Sequence, residues 1–359
     1  MSAQVRVGVL GTGWMAGRMA RALRVVDGVR LQAVASRSPA RAQAFAHAHE
    51  VPTAHGGYEA LAADPAIDLV YVATEHSEHA ADCLLALDHG KPVLCEKPFA
   101  LDAEQAARVA DAARRRGLFC MEALWTHFVP ALRELDRRLQ GGAIGDVRML
   151  VAQLGSAVVF DRASRLFDPA RGGGALLDLG VYPVSLAVAV LGAPTRVSAH
   201  AVLGPTGVDE QCTALLDFDG GRQAVITASL RHRLPNAADL TGTEGLVHVH
   251  EPLFCPEQLS VRRTPPAASA GGRRDRLTQA LPPRVVRSVR AGLRYARTER
   301  IRRPVHADGY RYEVEEAVRC LRAGLLESPL LPLDHSLLVA RTLDAIRDAF
   351  AERSPSPSP

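Results

Sequence analysis

The sequence predicts an N-terminal α/β domain with a doubly wound parallel sheet, followed by an α+β domain whose sheet is mostly antiparallel. The chain has 359 residues, which is more than one hydrophobic core usually organises. Strand and helix patterns alternate up to about residue 122, and this alternation is typical of parallel βαβ units. Beyond residue 145, strand patterns follow one another across glycine and aspartate turns, which favours antiparallel pairing.

The first domain is expected over residues 1–122. Short apolar runs predict its strands, because a parallel sheet is buried on both faces. The strands are expected at residues 5–10, 31–35, 69–73, 92–95 and 118–121. Helical periodicity predicts the segments between them, and Pro39 suits a first helical turn. The helices are expected at residues 14–25, 39–49, 77–89 and 102–116.

The second domain is expected over residues 123–353, and the Ser-Pro tail at 354–359 is predicted to be disordered. Asp219-Gly220-Gly221 predicts a hairpin between two of its strands. The strands are expected at residues 147–154, 196–203, 213–218, 223–230, 246–250 and 258–261, and two closing helices at 310–323 and 336–351.

Composition excludes several classes of protein. With 47% hydrophobic and 23% charged residues, the chain is neither wholly disordered nor collagen-like. The net charge of +4 is too small to indicate a particular class of binding partner. Six cysteines without a CxxC pair predict reduced thiols and a cytoplasmic location rather than a disulfide framework or a zinc site. The sequence lacks an uninterrupted apolar stretch long enough to predict a membrane span.

The segment 262–304 is unusual because it holds 13 arginines and only two acidic residues, a local charge of +11. Its first half is rich in Pro, Ala and Gly and predicts a loop. Its second half predicts an amphipathic helix, with an apolar stripe at Val285, Val286, Val289, Leu293 and Ala296. We favour a solvated helix packed on the protein; the alternatives are contact with nucleic acid or another anionic surface, and a lid or subunit contact.

The chain contains 41 arginines but only two lysines. Lys91 follows Gly90 and is expected to be a solvated charge in a turn. Lys97 follows a buried strand, at the carboxyl edge where open α/β sheets bind ligands. An ammonium, unlike a guanidinium, has a pKa that its surroundings can tune. The alternative for Lys97 is a surface lysine paired with Glu96.

A glycine-rich turn follows the first strand. Gly11 allows a tight turn, Gly13 lets the backbone approach a pyrophosphate, and Ala16 lets helix and strand pack closely. In this strand–turn–helix context the pattern predicts a bound dinucleotide.

The end of the second strand predicts which dinucleotide is bound. Ser36, Arg37 and Arg41 stand where a carboxylate would hold the ribose 2′-hydroxyl of NAD. Hydroxyl and guanidinium groups suit a 2′-phosphate, so we predict NADP rather than NAD. The alternative is that both arginines are only surface charges.

A third motif places an acid and a phenol close together. Three glycines precede a helical pattern in which Asp178 and Tyr182 stand four residues apart, on one helical face. A lysine ammonium beside Tyr182 would lower its pKa. A Lys97–Tyr182 pair beside a nicotinamide would suit the interconversion of alcohol and carbonyl. The alternative is that Tyr182 is a core aromatic residue.

Four motifs in order resemble the Gfo/Idh/MocA oxidoreductase family, and within it the dihydrodiol dehydrogenase and NADP-dependent xylose dehydrogenase branch. They are GTGWMA at 11–16, CEKPFALD at 95–102, MEALWTHFVP at 121–130 and GGGALLDLGVYP at 172–183. The resemblance implies a Rossmann domain, an open-faced antiparallel sheet, and a homodimer or larger assembly through that sheet. It also implies that Lys97, Asp178 and Tyr182 are catalytic, with Tyr182 as the acid/base, and that the substrate is a sugar or small cyclic diol.

The predicted cofactor contacts are Gly11, Thr12, Gly13, Trp14, Met15, Ser36, Arg37, Arg41, Thr74, His76, His79, Glu96, Lys97 and Trp125. No metal is expected, because the strand pair His248 and His250 lacks a third ligand.

The sequence departs from the family pattern in two places near the site. Glu75 stands where proline is usual, and His127 stands where the branch usually has arginine. The segment 262–304 has no clear counterpart. The main alternative to an enzyme is a non-catalytic NADP-binding sensor or partner protein of the same fold; a nucleic-acid or anionic-surface adaptor is a third reading, and neither nucleic acid nor a membrane is an expected partner.

Overall fold

A parallel sheet forms the first half of the computed structural model, which describes residues 4–264, 298–307 and 309–351. Its strands are β1 (Val5–Leu10), β2 (Val29–Ala35), β3 (Thr53–His55), β4 (Leu69–Val72), β5 (Val93–Glu96) and β6 (Cys120–Ala123). They lie in the order β3-β2-β1-β4-β5-β6. The order reverses between β1 and β4, which opens a crevice at the carboxyl ends of these strands.

Helices cover both faces of this sheet. They are α1 (Trp14–Leu23), α2 (Pro39–His49), α3 (Tyr58–Ala62), α4 (His79–Asp88) and α5 (Ala103–Arg116). The Ser38 hydroxyl caps α2 ahead of Pro39, and the Asp102 carboxylate caps α5. The predicted doubly wound fold is confirmed. Strand β3 and helix α3 were not predicted, because three- and five-residue elements are too short to show periodicity.

The second half is built on a mixed sheet of eight strands. These are β7 (Val147–Gly155), β8 (Arg196–Leu203), β9 (Asp209–Phe218), β10 (Arg222–Ser229), β11 (Ala238–Gly242), β12 (Gly245–Val249), β13 (Gln258–Arg263) and β14 (Thr298–Arg302). Their order is β14-β13-β12-β11-β7-β10-β9-β8, and the β7–β10 pair is parallel whereas the other pairs are antiparallel. This agrees with the predicted, mostly antiparallel sheet, although β11 and β14 were not predicted.

Four more helices are α6 (Pro130–Gln140), α7 (Val181–Leu191), α8 (Arg311–Arg322) and α9 (Leu333–Ala351). Helices α6, α7 and α9 contact this sheet, whereas α8 packs against α1 of the first half. Helix α9 packs against α5 of the first half and α7 of the second. The segment Pro169–Leu191 has a mean hydropathy of 1.8 and the length of a membrane span, but most of it is buried inside the protein. Its apolar character is therefore that of a core segment.

The described ends of the arginine-rich segment belong to β13 and β14. Residues 262–263 are strand rather than the predicted loop, and residues 298–302 are strand although they lie in the half predicted to be helical. Pairing with β12 and with each other satisfies their backbone groups. The amphipathic helix predicted over 285–296 and the tail at 354–359 lie outside the described residues.

The expectation for Lys91 is wrong. Its ammonium donates hydrogen bonds to the carbonyl oxygens of Asp64, at 2.7 Å, and Ile67, at 3.0 Å. Both carbonyls lie in the turn that follows α3, so Lys91 satisfies backbone acceptors instead of standing free in water. All six cysteines are free thiols, and Cys255 alone among them is not fully buried.

Candidate active site

One cleft of about 570 Å³ lies at the carboxyl edge of the parallel sheet, where the two halves meet. Every residue predicted to be catalytic or to contact the cofactor lines it. They are Gly11, Thr12, Gly13, Trp14, Met15, Ser36, Arg37, Arg41, Thr74, His76, His79, Glu96, Lys97, Trp125, Asp178 and Tyr182. The structure therefore brings the whole predicted set together, while the role of each residue stays a prediction.

The glycine turn after β1 leaves room for a phosphate group. Gly11 has a φ of +102°, and a Cβ there would lie 2.6 Å from the Ala73 carbonyl oxygen, so only glycine fits. A Cβ on Gly13 would meet no atom within 4 Å. Gly13 is the N-cap of α1 and provides no capping side chain, and the first turn of α1 has no acidic residue. The N–H groups of this helix end face an open space that suits a pyrophosphate.

The corner beyond β2 carries two cations, of which Arg37 lies close enough to the carboxylates of Glu75 and Asp82 to interact with them electrostatically. Arg37 and Arg41 are exposed, and within the described residues neither guanidinium makes an ion pair or a hydrogen bond. The Ser36 hydroxyl accepts the Ser38 N–H at 3.3 Å, which fixes the turn between the strand and α2. A dianionic 2′-phosphate fits this corner, whereas the carboxylate that a 2′-hydroxyl would need is absent from the end of β2.

Lys97 points across the cleft into the second half. Its Nζ donates to the Asp178 carbonyl oxygen at 2.8 Å and lies 3.4 Å from Asp178 Oδ1. It also lies 5.2 Å from the ring centroid of Tyr182. The Glu96 carboxylate instead accepts the Lys97 backbone N–H and the Tyr71 hydroxyl. The alternative of a surface lysine paired with Glu96 is therefore wrong: the side chain is 13% exposed and its partner is Asp178.

Asp178 is a buried carboxylate held by cations. Besides Lys97, Arg165 donates through Nη2 to Asp178 Oδ1 at 2.9 Å, and His76 Nε2 lies 3.9 Å from the same oxygen. Burial acts to raise the pKa of Asp178, but the charges of Lys97 and Arg165 outweigh it, so the pKa lies below its ordinary value. Asp178 is therefore ionised at neutral pH.

Tyr182 is buried, and its hydroxyl contacts the indole of Trp125. The Trp125 Nε1–H donates to Tyr182 Oη at 3.1 Å. Burial raises the pKa of Tyr182 well above its usual value, and the hydrogen bond from Trp125 offsets this only in part. Lys97 was expected to lower that pKa. Its ammonium instead lies over the ring and donates to Asp178, so in this structure the phenol stays protonated.

The helix that carries both residues differs from the predicted one. Leu176–Gly180 forms a π-helical turn, and α7 starts only at Val181. A π-turn contains more residues than an α-turn, so residues four apart still face roughly the same side. This is why Asp178 and Tyr182 reach the same cleft although the expected α-helical face is absent.

Aromatic residues from distant segments close one side of the cleft. The Tyr310 ring stacks on Trp125 with centroids 4.2 Å apart, and Phe254 lies 6.2 Å from Tyr182. Nine further residues line the cleft that were not predicted from the sequence: Ser38, Tyr58, Ala73, Glu75, Glu78, Arg165, Leu179, Phe254 and Tyr310. Most belong to no motif, but Arg165 lies in the same run as Asp178 and Glu75 was visible as a departure from the family pattern.

A second cavity of about 710 Å³ lies on the other side of Tyr182. Here His127 replaces the usual arginine, and its Nε2 lies 2.7 Å from the Ser185 hydroxyl, which is 2.8 Å from His335 Nε2. Burial lowers the pKa of His127 to about 3 and that of His335 to about 4, so both rings are neutral.

The side chains of His248 and His250 lie next to each other, with ring centroids 4.5 Å apart. His248 contacts the Asp239 carboxylate and His250 the Ser260 hydroxyl, both at 2.7 Å. Over the part of the chain that the structure describes, no three histidine, cysteine, aspartate or glutamate side chains form a metal-binding group.

Two models of known protein families match the chain, one in each half. A model of the oxidoreductase family with an NAD-binding Rossmann fold (GFO_IDH_MocA) matches residues 5–124, and a model of the GFO/IDH/MocA C-terminal domain matches residues 132–248. Trans-1,2-dihydrobenzene-1,2-diol dehydrogenase from Sus scrofa is 34% identical over 358 residues, 98% of either chain. The Danio rerio enzyme of that name is 37% identical over 347 residues, 96% of either chain.

Among solved structures, a 3-ketoreductase from Actinomadura kijaniata in complex with NADP and TDP-benzene is similar at a TM-score of 0.79 and 28% identity, covering 96% of this chain and 98% of that one. An aldose-aldose oxidoreductase from Caulobacter crescentus has a TM-score of 0.80 at 21% identity, with 98% of either chain covered, and shares the fold.

Proposed function

Because this chain belongs to the Gfo/Idh/MocA oxidoreductase family, we propose that it interconverts an alcohol and a carbonyl group on a sugar or a small cyclic diol, with NADP as the hydride carrier. It is a dehydrogenase or reductase that acts on CH–OH groups. The observation that carries the proposal is the convergence of Lys97, Asp178 and Tyr182 in the cleft that fits the dinucleotide.

The chain's own groups handle the proton. A bound nicotinamide would donate or accept the hydride at the reacting carbon. Tyr182, whose raised pKa keeps it protonated, gives its proton to the carbonyl oxygen in reduction. In oxidation the phenol must first release its proton to solvent, and the resulting phenolate then takes the proton of the alcohol. Lys97, anchored by Asp178, places a positive charge where negative charge develops on that oxygen. Asp178 has a second oxygen with which to orient a substrate hydroxyl.

The shape of the cleft supports a cyclic substrate. Trp125, Phe254 and Tyr310 give it one apolar wall, while Asp178, Lys97 and Arg165 give it a polar floor. A sugar or cyclic diol has the same division between a C–H face and hydroxyl groups. The names of the curated relatives refer to a cyclic diol, and a ketoreductase neighbour was crystallised with a nucleotide-linked benzene.

The test is Tyr182→Phe, which removes the hydroxyl and keeps the ring. We expect the affinity for NADPH to stay within about threefold and kcat to fall by roughly 10²- to 10⁴-fold on aldoses or cyclic 1,2-diols. Tyr312→Phe, which alters a phenol that accepts the His306 N–H outside the cleft, is the matched control. Turnover near wild type in Tyr182→Phe would refute the assignment. A wild type that binds NADPH but turns over no substrate in the panel would favour the sensor.

We also propose that the chain assembles through the open face of its second sheet. Leu215 of β9, which is 37% exposed, pairs with Val225 of β10, and Val225 pairs with Val151 of β7, so the three form an apolar patch on the face opposite the buried Ala214 and Leu216. Such an apolar patch is costly in water and suits a self-complementary contact. Sedimentation at about 20 µM should give a dimer or larger species, and Leu215→Glu should shift it to monomer. A monomeric wild type would contradict the proposal.

A further inference from the structure

Beside the cleft, Glu75 and His76 of the first half form hydrogen bonds with Arg171 and Gly172 of the second half. The Glu75 carboxylate accepts two hydrogen bonds from the Arg171 guanidinium, from Nε at 2.8 Å and from Nη2 at 2.5 Å. The His76 Nδ1–H donates to the Gly172 carbonyl oxygen at 2.9 Å. We call Glu75, His76, Arg171 and Gly172 the interdomain clasp.

Close packing at Gly172 shows that the two halves fit tightly together at the clasp. Gly172 has a φ of +72°, and a Cβ there would lie 2.7 Å from His76 Cβ and 2.6 Å from Leu101 Cδ2. Any larger residue would be strained and would push the two halves apart. Both partners in the ion pair are 35% exposed, and the guanidinium engages the carboxylate in a fork, the strongest geometry for such a pair.

The clasp adjoins the cofactor space on one side and the predicted catalytic residues on the other. Glu75 and His76 line the cleft directly after Thr74, at the end of β4. Gly172 leads into the π-turn that carries Asp178, and His76 Nε2 lies 3.9 Å from Asp178 Oδ1. Separating Glu75 from Arg171 would therefore loosen the same junction that Lys97 and Asp178 span.

The family pattern that the sequence resembles does not by itself imply this ion pair. Proline is usual at position 75, and proline has no charged group with which to hold Arg171. Arg171 makes one further contact, through Nη1 to the Ala163 carbonyl oxygen at 3.1 Å, which ties it to its own loop. The charge of Glu75 is thus the part of the clasp that can be removed without disturbing the second half.

We propose that the Glu75–Arg171 ion pair fastens the two halves over the bound dinucleotide, slows the release of NADP(H) and holds Asp178 in register with Lys97. Glu75 and Arg171 are positioning residues in this scheme, since neither is assigned a contact with the reacting atoms. The inference rests on the proposed NADP-dependent function.

Release of bound NADPH into excess NADP can be followed by its fluorescence in a stopped-flow instrument. Glu75→Gln and Arg171→Gln should each accelerate release by about three- to tenfold, the range of a partly exposed, forked ion pair. The double variant should release no faster than the faster single variant. The exchanged pair, Glu75→Arg with Arg171→Glu, should return to within about twofold of wild type.

Glu50→Gln is the matched control, because it neutralises an exposed carboxylate that pairs with Arg24 at 2.9 Å, on the same half but outside the cleft. It should leave release unchanged. Salt gives a test without any variant: raising NaCl from about 0.05 to 0.5 M should accelerate release from wild type more than from Glu75→Gln.

Three results would overturn the inference. They are release rates unchanged by either single variant, additive effects in the double variant, and no recovery in the exchanged pair. A role in stability alone would lower the unfolding temperature without changing release. Failure of the proposed function is distinct, because a wild type that binds no NADPH gives no release signal at all.

Discussion

Arg37→Ala is the most direct test of the predicted 2′-phosphate site at the end of β2. The side chain lies at the carboxyl end of β2 with no ion pair or hydrogen bond among the described residues, so its removal breaks neither kind of contact. A hydrogen bond between charged groups contributes about 1.5–3 kcal/mol. Because Arg37 is exposed, solvent and salt reduce this to about 1–2 kcal/mol. The expected loss in NADPH affinity is therefore roughly 5- to 30-fold.

The effect should be confined to the phosphorylated cofactor. Dissociation constants for NADPH and NADH can be measured by quenching of protein fluorescence in wild type, Arg37→Ala, Arg41→Ala and the control Arg115→Ala. Arg115 is exposed on α5, away from the cleft. We expect NADH affinity to change by less than about twofold in all variants, since NADH lacks the 2′-phosphate. The NADPH penalty should shrink as salt is raised.

Equal losses for NADPH and NADH in Arg37→Ala would refute the reasoning, because they would mean that the guanidinium supports the fold of the corner or the shared part of the cofactor. An unchanged NADPH affinity in both arginine variants would leave the arginines as surface charges, the alternative that their sequence context kept open.

Two further predictions follow from groups inside the protein. Lys97→Arg keeps the charge but replaces a compact ammonium by a broad fork, so kcat should fall by about 10²-fold or more while the dissociation constant for NADPH, measured by fluorescence, stays within about fivefold. Burial raises the pKa of Glu122 to about 7, so its ionisation costs folding energy that grows between about pH 4.5 and pH 7. Glu122→Gln should therefore stabilise the protein against urea by about 2–3 kcal/mol at pH 8 and by almost nothing at pH 4.5; equal gains at both values would contradict this.

The sequence alone predicts those site residues whose role follows from the local backbone or from the order of the strands. Gly11 and Gly13 are set by the backbone turn that a phosphate needs, and Lys97 follows a strand whose carboxyl end lies at the ligand edge. Such positions can be read without a structure because their partners are near in sequence or fixed by topology. The same holds for both sheets, whose type follows from the order of strand and helix patterns.

The remaining site residues depend on packing between distant segments. Phe254 and Tyr310 come from a loop and a helix start more than 100 residues beyond Trp125, and only the folded chain brings them into contact with it. The π-turn at Leu176–Gly180 cannot be told from an α-helix by periodicity. Helix α6 was not predicted either, although the spacing of its leucines at 132, 135 and 139 is helical.

The charge arrangement around Asp178 shows why the tertiary structure decides the chemistry. From sequence, Lys97 was expected to act on the phenol of Tyr182 and lower its pKa. In the fold, two cations, Lys97 and Arg165, share the single carboxylate of Asp178, and burial keeps Tyr182 protonated. A substrate oxygen that gains negative charge would thus find an excess of positive charge and a proton donor together, which stabilises the transition state without first requiring a phenolate.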